Sequence, residues 1–304
     1  MKTKTEIYLK IPDSKSRIER FFSFKIKQGL FDEPTEYEKP GKILAISDIE
    51  GNFQSFCRLL IKNNVIDKYF NWKYGDGHLV IVGDCFDRGE QVTECLWLIY
   101  MLEEKAKRKG GKVHFILGNH EIMNFNGDWR YVHPKYAEQA RSKKSHTAIY
   151  GGNSELWRWL RTKNIVERIG DVLFVHGGIA EQLLQLKIPL DVINTSVRPF
   201  YTRANDQFTD PLLSLVFNSD NSPFWYRGYY QQETDKKLID ATIQLYEVNT
   251  IVTGHTVVDS IVSYYDGKVI NIDTDHASGN SQALLIRRDR FYRVDSTGKR
   301  QRIK

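Results

Sequence analysis

Short apolar runs alternate along this chain with longer stretches whose apolar residues recur every three or four positions. Lys42–Ser47 (KILAIS), His78–Val82 (HLVIV), Lys112–Leu117 (KVHFIL), Asp171–Val175 (DVLFV) and Thr250–Thr253 (TIVT) are four to six residues long and rich in Val, Ile and Leu. Such runs read as buried strands. Between them, Asn52–Asn64 places Phe53, Phe56, Leu59 and Leu60 on one helical face. Gln91–Lys109 does the same with Val92, Cys95, Leu96, Ile99 and Leu102, and stops at Gly110-Gly111, a glycine C-cap. Ser154–Lys163 and Glu233–Val248 are further helices by the same pattern, and the alternation from Ile261 onward predicts a hairpin turning at Asp266-Gly267. Alternating strands and helices predict an α/β sandwich with its strands inside. Residues 1–40, mixed and polar with three prolines, predict an arm packed on that body.

Each of the five runs ends in a polar cluster. These are Asp48-Ile49-Glu50-Gly51-Asn52, Gly83-Asp84-Cys85-Phe86-Asp87-Arg88-Gly89, Gly118-Asn119-His120-Glu121, His176-Gly177-Gly178 and Gly254-His255-Thr256. In α/β sheets the carboxyl ends of the strands are where ligands bind, so these groups are expected to converge on one rim. Carboxylates, imidazoles and one amide suit Mn²⁺, Fe or Zn²⁺ better than a cysteine-lined structural zinc. A carboxylate can also bridge two cations that clamp a displacement at phosphorus.

Composition narrows the class without changing this picture. The 304 residues are 41% hydrophobic and 27% charged, as in ordinary globular proteins. There is no apolar run of eighteen residues and no signal-peptide core, so neither a membrane span nor export is expected. Three scattered cysteines (Cys57, Cys85, Cys95) do not make a disulfide framework and suit the reducing cytoplasm. None is followed by arginine at the spacing a cysteine-dependent phosphatase needs, so Cys85 reads as a small buried residue. The net charge of +6 is carried by residues 287–304, where eight Arg and Lys face two Asp. That pattern predicts a solvated, frayed basic tail, and nucleic acid is not expected as a partner.

The order GD-x-x-DRG (83–89), GNHE (118–121), HGG (176–178) and GH (254–255) resembles the metallophosphoesterase superfamily, and DRG with GNHE resembles its phosphoprotein phosphatase (PPP) family. GNHEIMNFNGDWRYVHP (118–134) and PFWYRGYY (223–230) are similar to the bacterial-type, Shewanella-like branch. The resemblance spans residues 42–275. It implies a calcineurin-like four-layer α/β sandwich of two mixed sheets flanked by helices, with residues 41–288 as catalytic domain, 1–40 as the arm and 289–304 as the tail. It further implies two divalent metal ions. Asp48 and Glu50 would hold the first, Asp84 would bridge, and Asn119, His176 and His255 would complete the second. Arg88, Arg227 and Asn119 would bind phosphoryl oxygens, and His120 would protonate the leaving oxygen with Asp87 orienting it.

One position departs from the family pattern, since Glu50 stands where histidine is usual. Three anionic oxygens on the first metal favour Mn²⁺, or Mg²⁺, over Zn²⁺ or Fe. The resulting expectation is a cytoplasmic phosphomonoesterase for phosphoproteins or phosphopeptides, on Ser/Thr and possibly Tyr. The alternatives are a phosphatase for a small phosphorylated metabolite, such as a dinucleoside polyphosphate, and a catalytically weak metal- or phosphoprotein-binding module, for which Glu50 is the support. The remaining histidines (His78, His114, His133, His146, His276) are expected at the surface or in packing, and Asp273, Asp275 and His276, which follow the last hairpin strand, in a solvated loop in preference to a place at the site.

Overall fold

A computed structural model describes residues 6–11, 20–143, 152–231 and 236–304. His146 and the expected start of the last helix at Glu233 lie outside them, as do parts of the N-terminal arm. The strands are β1 (Glu6–Ile11), β2 (Arg20–Lys25), β3 (Glu36–Tyr37), β4 (Lys42–Ile46), β5 (His78–Val82), β6 (Lys112–Ile116), β7 (Val166–Ile169), β8 (Val172–Val175), β9 (Thr250–Thr253), β10 (Val262–Tyr264), β11 (Val269–Asn271), β12 (Gln282–Arg287), β13 (Arg290–Asp295) and β14 (Arg300–Arg302). One sheet runs β10-β11-β9-β8-β7-β3 and a second runs β14-β13-β12-β4-β5-β6, while β1 and β2 form a ribbon apart. Both large sheets are mixed: β4, β5 and β6 are parallel, as are β8 and β9, with antiparallel strands beside them.

Side-chain alternation explains the layers. Ile43 and Ala45 of β4, Val80 and Val82 of β5, Val172 and Phe174 of β8 and Val252 of β9 share one buried cluster, the seam between the sheets. The alternate residues Leu44, Ile46, Leu79, Ile81, Leu173, Val175 and Ile251 belong to the other cluster, which includes the helical residues. Both faces of these strands are therefore covered, which is why they read as unbroken apolar runs. The helices are α1 (Phe53–Lys62), α2 (Val92–Lys107), α3 (Asn119–Phe125), α4 (Pro134–Lys143), α5 (Glu155–Leu160), α6 (Glu181–Gln185), α7 (Leu190–Val197), α8 (Pro211–Asn218) and α9 (Lys236–Tyr246). In α5 the Ser154 side chain accepts from the Trp157 N–H and caps the first turn.

Two expectations change. The segment 289–304 is not frayed: β13 and β14 extend the second sheet, and Phe291 and Val294 are buried. Its arginines hide a strand that buries one residue on each face, Phe291 in the seam between the sheets and Val294 on the helical side. Asp273 and His276 are likewise buried and not in a solvated loop; His276 Nδ1 lies 2.8 Å from Ser281 Oγ. In the N-terminal ribbon, Phe24 of β2 stacks on Trp97 of α2 with ring centroids 4.9 Å apart.

Candidate active site

The parallel strands deliver their polar ends to one place, through backbone of an unusual kind. Asp48, Glu50, Asp84, Asp87, Arg88 and His255 all have positive φ, between 47° and 70°. Left-handed geometry costs a side-chain-bearing residue energy, and its concentration in these loops marks a functional constraint. Gly83 (φ +80°) must be glycine for a second reason: a Cβ there would lie 2.5 Å from His176 Nδ1 and 2.8 Å from Gly118 Cα. The β4 and β5 loops are tied together by the Asp48, Glu50 and Gly51 N–H groups, which donate to the Gly83, Asp84 and Cys85 carbonyls at 3.0–3.1 Å.

Asp84, His176 and His255, all buried, bring ligand-type atoms within 4.8 Å of one another. His176 Nδ1 donates to the Val82 carbonyl at 2.8 Å, so its Nε2 faces Asp84 Oδ2 at 3.1 Å and Asn119 Oδ1 at 3.0 Å. Asp48 Oδ2 accepts the His255 N–H at 3.1 Å. Burial would raise the Asp84 carboxyl, yet the His176 and His120 rings hold it well below the usual range. Burial and the neighbouring His176 push His255 down to about 2, leaving a neutral imidazole whose buried Nε2 has no partner. Burial, opposed by His176 and aided by Asp84, lifts Asp48 to about 6. Lone pairs from two carboxylates, an amide and an imidazole thus crowd together and call for positive charge, and a divalent cation fits this donor set.

Beside the cluster, His120 on α3 directs Nδ1 at Asp87 Oδ2, 2.6 Å away, and its Nε2 lies 3.8 Å from Asp84 Oδ2. Burial opposes protonation of this ring, but Asp84 and the bond to Asp87 raise its pKa. Arg88 is half exposed and pairs with Glu50. Residues 41–259 match the calcineurin-like phosphoesterases. The chain belongs to this family. A Shewanella-like protein phosphatase 2 of Arabidopsis thaliana is 27% identical over 86% of this chain and 78% of its own. An uncharacterised Schizosaccharomyces pombe protein is 30% identical over 77% and 73%. The crystal structure of a cold-active protein-tyrosine phosphatase from a Shewanella species superposes with a TM-score of 0.87 at 33% identity, covering 94% of this chain and 93% of that one. This calcineurin-like phosphoesterase therefore falls in the Shewanella-like branch of the PPP type and is a phosphoric monoester hydrolase, of a family that implies divalent metal ions.

In this phosphoesterase Arg227 stands at the rim, its Nη1 donating to the His255 carbonyl at 2.6 Å and lying 3.3 Å from Thr256 Oγ1. Of the neighbouring aromatic run, Phe224 and Tyr229 are packed inside and Trp225 sets its ring edge-on to His255 at 5.6 Å. Asp273 faces the site from the end of β11, pushed up to about 9 by burial and by the charge of Asp48. Cys85 is buried beside Asp84, and burial raises its thiol.

Two residues organise the site without having been given a role from the sequence: Glu121, the last residue of the GNHE motif, and Asn124. Glu121 accepts the N–H groups of Asp84 (2.9 Å), Cys85 (2.8 Å), Phe86 (3.3 Å) and Gly118 (2.7 Å), pinning the β5 and β6 loops to each other. Burial and the Asp84 charge nevertheless raise it to about 7. Asn124 donates to Asp87 Oδ1 at 2.8 Å and to the His120 carbonyl at 2.9 Å. Its position one helical turn after His120 is the only hint the sequence offers.

Proposed function

We propose that this phosphoesterase removes phosphate from protein side chains with two divalent cations, Mn²⁺ by preference. The first would be held by Asp48, Glu50 and Asp84, the second by Asp84, Asn119, His176 and His255. Bound there, the ions would supply Lewis-acid activation of a water and neutralise phosphoryl charge. The observation that carries the reading is the adjacency of the Asp84–His176–His255 cluster to the His120–Asp87 pair. A binding module has no use for an oriented acid beside its metal ligands.

In this reading His120 gives its Nε2 proton to the leaving oxygen while Asp87 keeps the ring oriented through Nδ1. Arg88 exchanges its pairing with Glu50 for the phosphoryl oxygens, where its planar fork fits. Glu50, freed from that pairing, would be one of the residues to hold the first ion, and an oxygen-rich donor set there would favour Mn²⁺. Arg227 and Asn119 complete the phosphate contacts. The Shewanella relative is a protein-tyrosine phosphatase, which moves the preferred substrate from the phosphoserine and phosphothreonine first expected to phosphotyrosine. Three free cysteines suit a reducing, cytoplasmic setting. Among the described residues no helix is long and apolar enough to cross a membrane.

The test is p-nitrophenyl phosphate hydrolysis by metal-stripped protein titrated with Mn²⁺, Mg²⁺, Zn²⁺ and Fe²⁺. We expect turnover restored best by Mn²⁺ and abolished in Asp84→Asn. Two ions bound per chain without turnover under any metal would sink the hydrolase mechanism and favour the binding module.

A further inference from the structure

The segment between α3 and α4 places an exposed aromatic ring against the two groups assigned to the reacting phosphate. Tyr131 is 44% exposed, yet its ring centroid lies 5.2 Å from that of His120 and 5.7 Å from the Arg88 guanidinium carbon. Its position is fixed by the main chain. The Tyr131 carbonyl accepts the Arg88 N–H at 2.9 Å, the Asp128 N–H donates to the Met123 carbonyl at 2.9 Å, and Val132 packs on the core. Arg130 lies over the same ring at 5.7 Å and is itself tied to Asp128 at 2.7 Å. The ring is therefore preorganised and costs little further ordering when it meets a ligand.

We propose that Tyr131 is a specificity-determining residue whose exposed ring receives the leaving group and selects aryl over alkyl phosphomonoesters. The proposal rests on the phosphomonoesterase reading above and deepens it. A phosphoryl group lying against Arg88, with its bridging oxygen at His120, carries its next atoms onto the aromatic surface of Tyr131, which touches both residues. The ring of a phosphotyrosine stacks there or meets it edge-on, whereas the single carbon of a phosphoserine reaches little of it. Aromatic pairing of this kind is worth about a three- to tenfold preference.

The test compares wild type, Tyr131→Leu and Tyr131→Phe, all full length and loaded with Mn²⁺. One measurement is kcat/KM on two peptides of the same sequence, one with phosphotyrosine and one with phosphoserine. The other is the calorimetric Kd for phenylphosphonate and methylphosphonate. We expect the phosphotyrosine-to-phosphoserine ratio to fall about three- to tenfold in Tyr131→Leu and to be kept in Tyr131→Phe. Phenylphosphonate alone should weaken in Tyr131→Leu, and melting curves check that both variants fold. An equal fall for both peptides, or an unchanged ratio, would overturn the proposal and leave Tyr131 as a support for His120 and Arg88. Wild type inert toward both peptides would defeat the phosphomonoesterase reading instead, and the phosphonates would then decide the aryl contact alone.

Discussion

The imidazole of His120 is aimed by two further side chains in series, Asp87 on its Nδ1 and Asn124 on the far oxygen of Asp87. Removing the last member leaves the acid and its carboxylate present but lets the carboxylate turn. Asn124→Ala is expected to lower kcat about tenfold with KM little changed, read by steady-state kinetics on p-nitrophenyl phosphate. A fall in KM affinity without loss of kcat would assign Asn124 to substrate binding. At this scale the sequence was informative where a residue's chemistry is its own. Asp84, His176 and His255 were readable as one set from their strand-end positions, and the structure brings them together. Asn124 and Glu121 were not, because each acts through contacts with loops about 36 residues away, and nothing local marks an amide or carboxylate as the organiser of a distant turn. The pairing of Glu50 with Arg88 was equally hidden: the departure at position 50 was visible, its partner was not.

At the scale of elements, legibility followed burial. β4, β5, β6, β8 and β9 are covered on both faces, and their apolar runs gave them away. β7 was missed because its sequence, VERI, carries Glu167 and Arg168, and Glu167 is buried all the same with His114 and Asn164 as partners. β13 was missed because it is rich in charge and its buried residues, Phe291 and Val294, are three apart on opposite faces and make no alternation. Its contribution is measurable: Phe291→Ala should cost about 3–5 kcal/mol in urea unfolding, as for other buried aromatic rings. A frayed tail would give a change near zero. The 3₁₀ turn at Tyr265–Gly267 stands where the hairpin was predicted, with Asp266 at φ 57° and Gly267 at φ 87°, and β10 and β11 pair antiparallel across it.

Across the whole molecule the two sheets are held face to face by an apolar seam that a polar line crosses. Glu167 of β7 in the first sheet meets His114 Nδ1 of β6 in the second at 2.7 Å, and His114 Nε2 meets His78 Nδ1 at 2.9 Å. Burial, then the charge of Glu33, pushes Glu167 up to about 8, partly offset by Asn164, Lys112 and Lys163. Burial lowers His114, so the pair is neutral, with the Glu167 proton donated to Nδ1. A carboxyl raised from 4.5 to about 8 on folding contributes stability that is complete below pH 4.5 and is lost as pH rises toward 8. Unfolding free energy should therefore carry a falling component across that window, at a slope of up to about 1.4 kcal/mol per pH unit. Glu167→Gln, which keeps a donor for His114, should remove that component when melts at pH 5 and pH 8 are compared. An identical pH profile in the variant would place the proton elsewhere.

The strand that carries Asp48 and Glu50 to the site has β5 on one side and β12 on the other. β5 follows it closely in the chain, whereas β12 begins at Gln282. As the chain leaves the ribosome, β4 can gain its first neighbour early, but its other edge waits, with unpaired N–H and C=O groups, until more than two hundred further residues have been made. Such an edge is an invitation to the wrong strand. The order of synthesis thus makes β12, β13 and β14 a late stitch in the catalytic sheet, and a chain cut before Gln282 would hold every residue assigned to the chemistry and no finished frame around them.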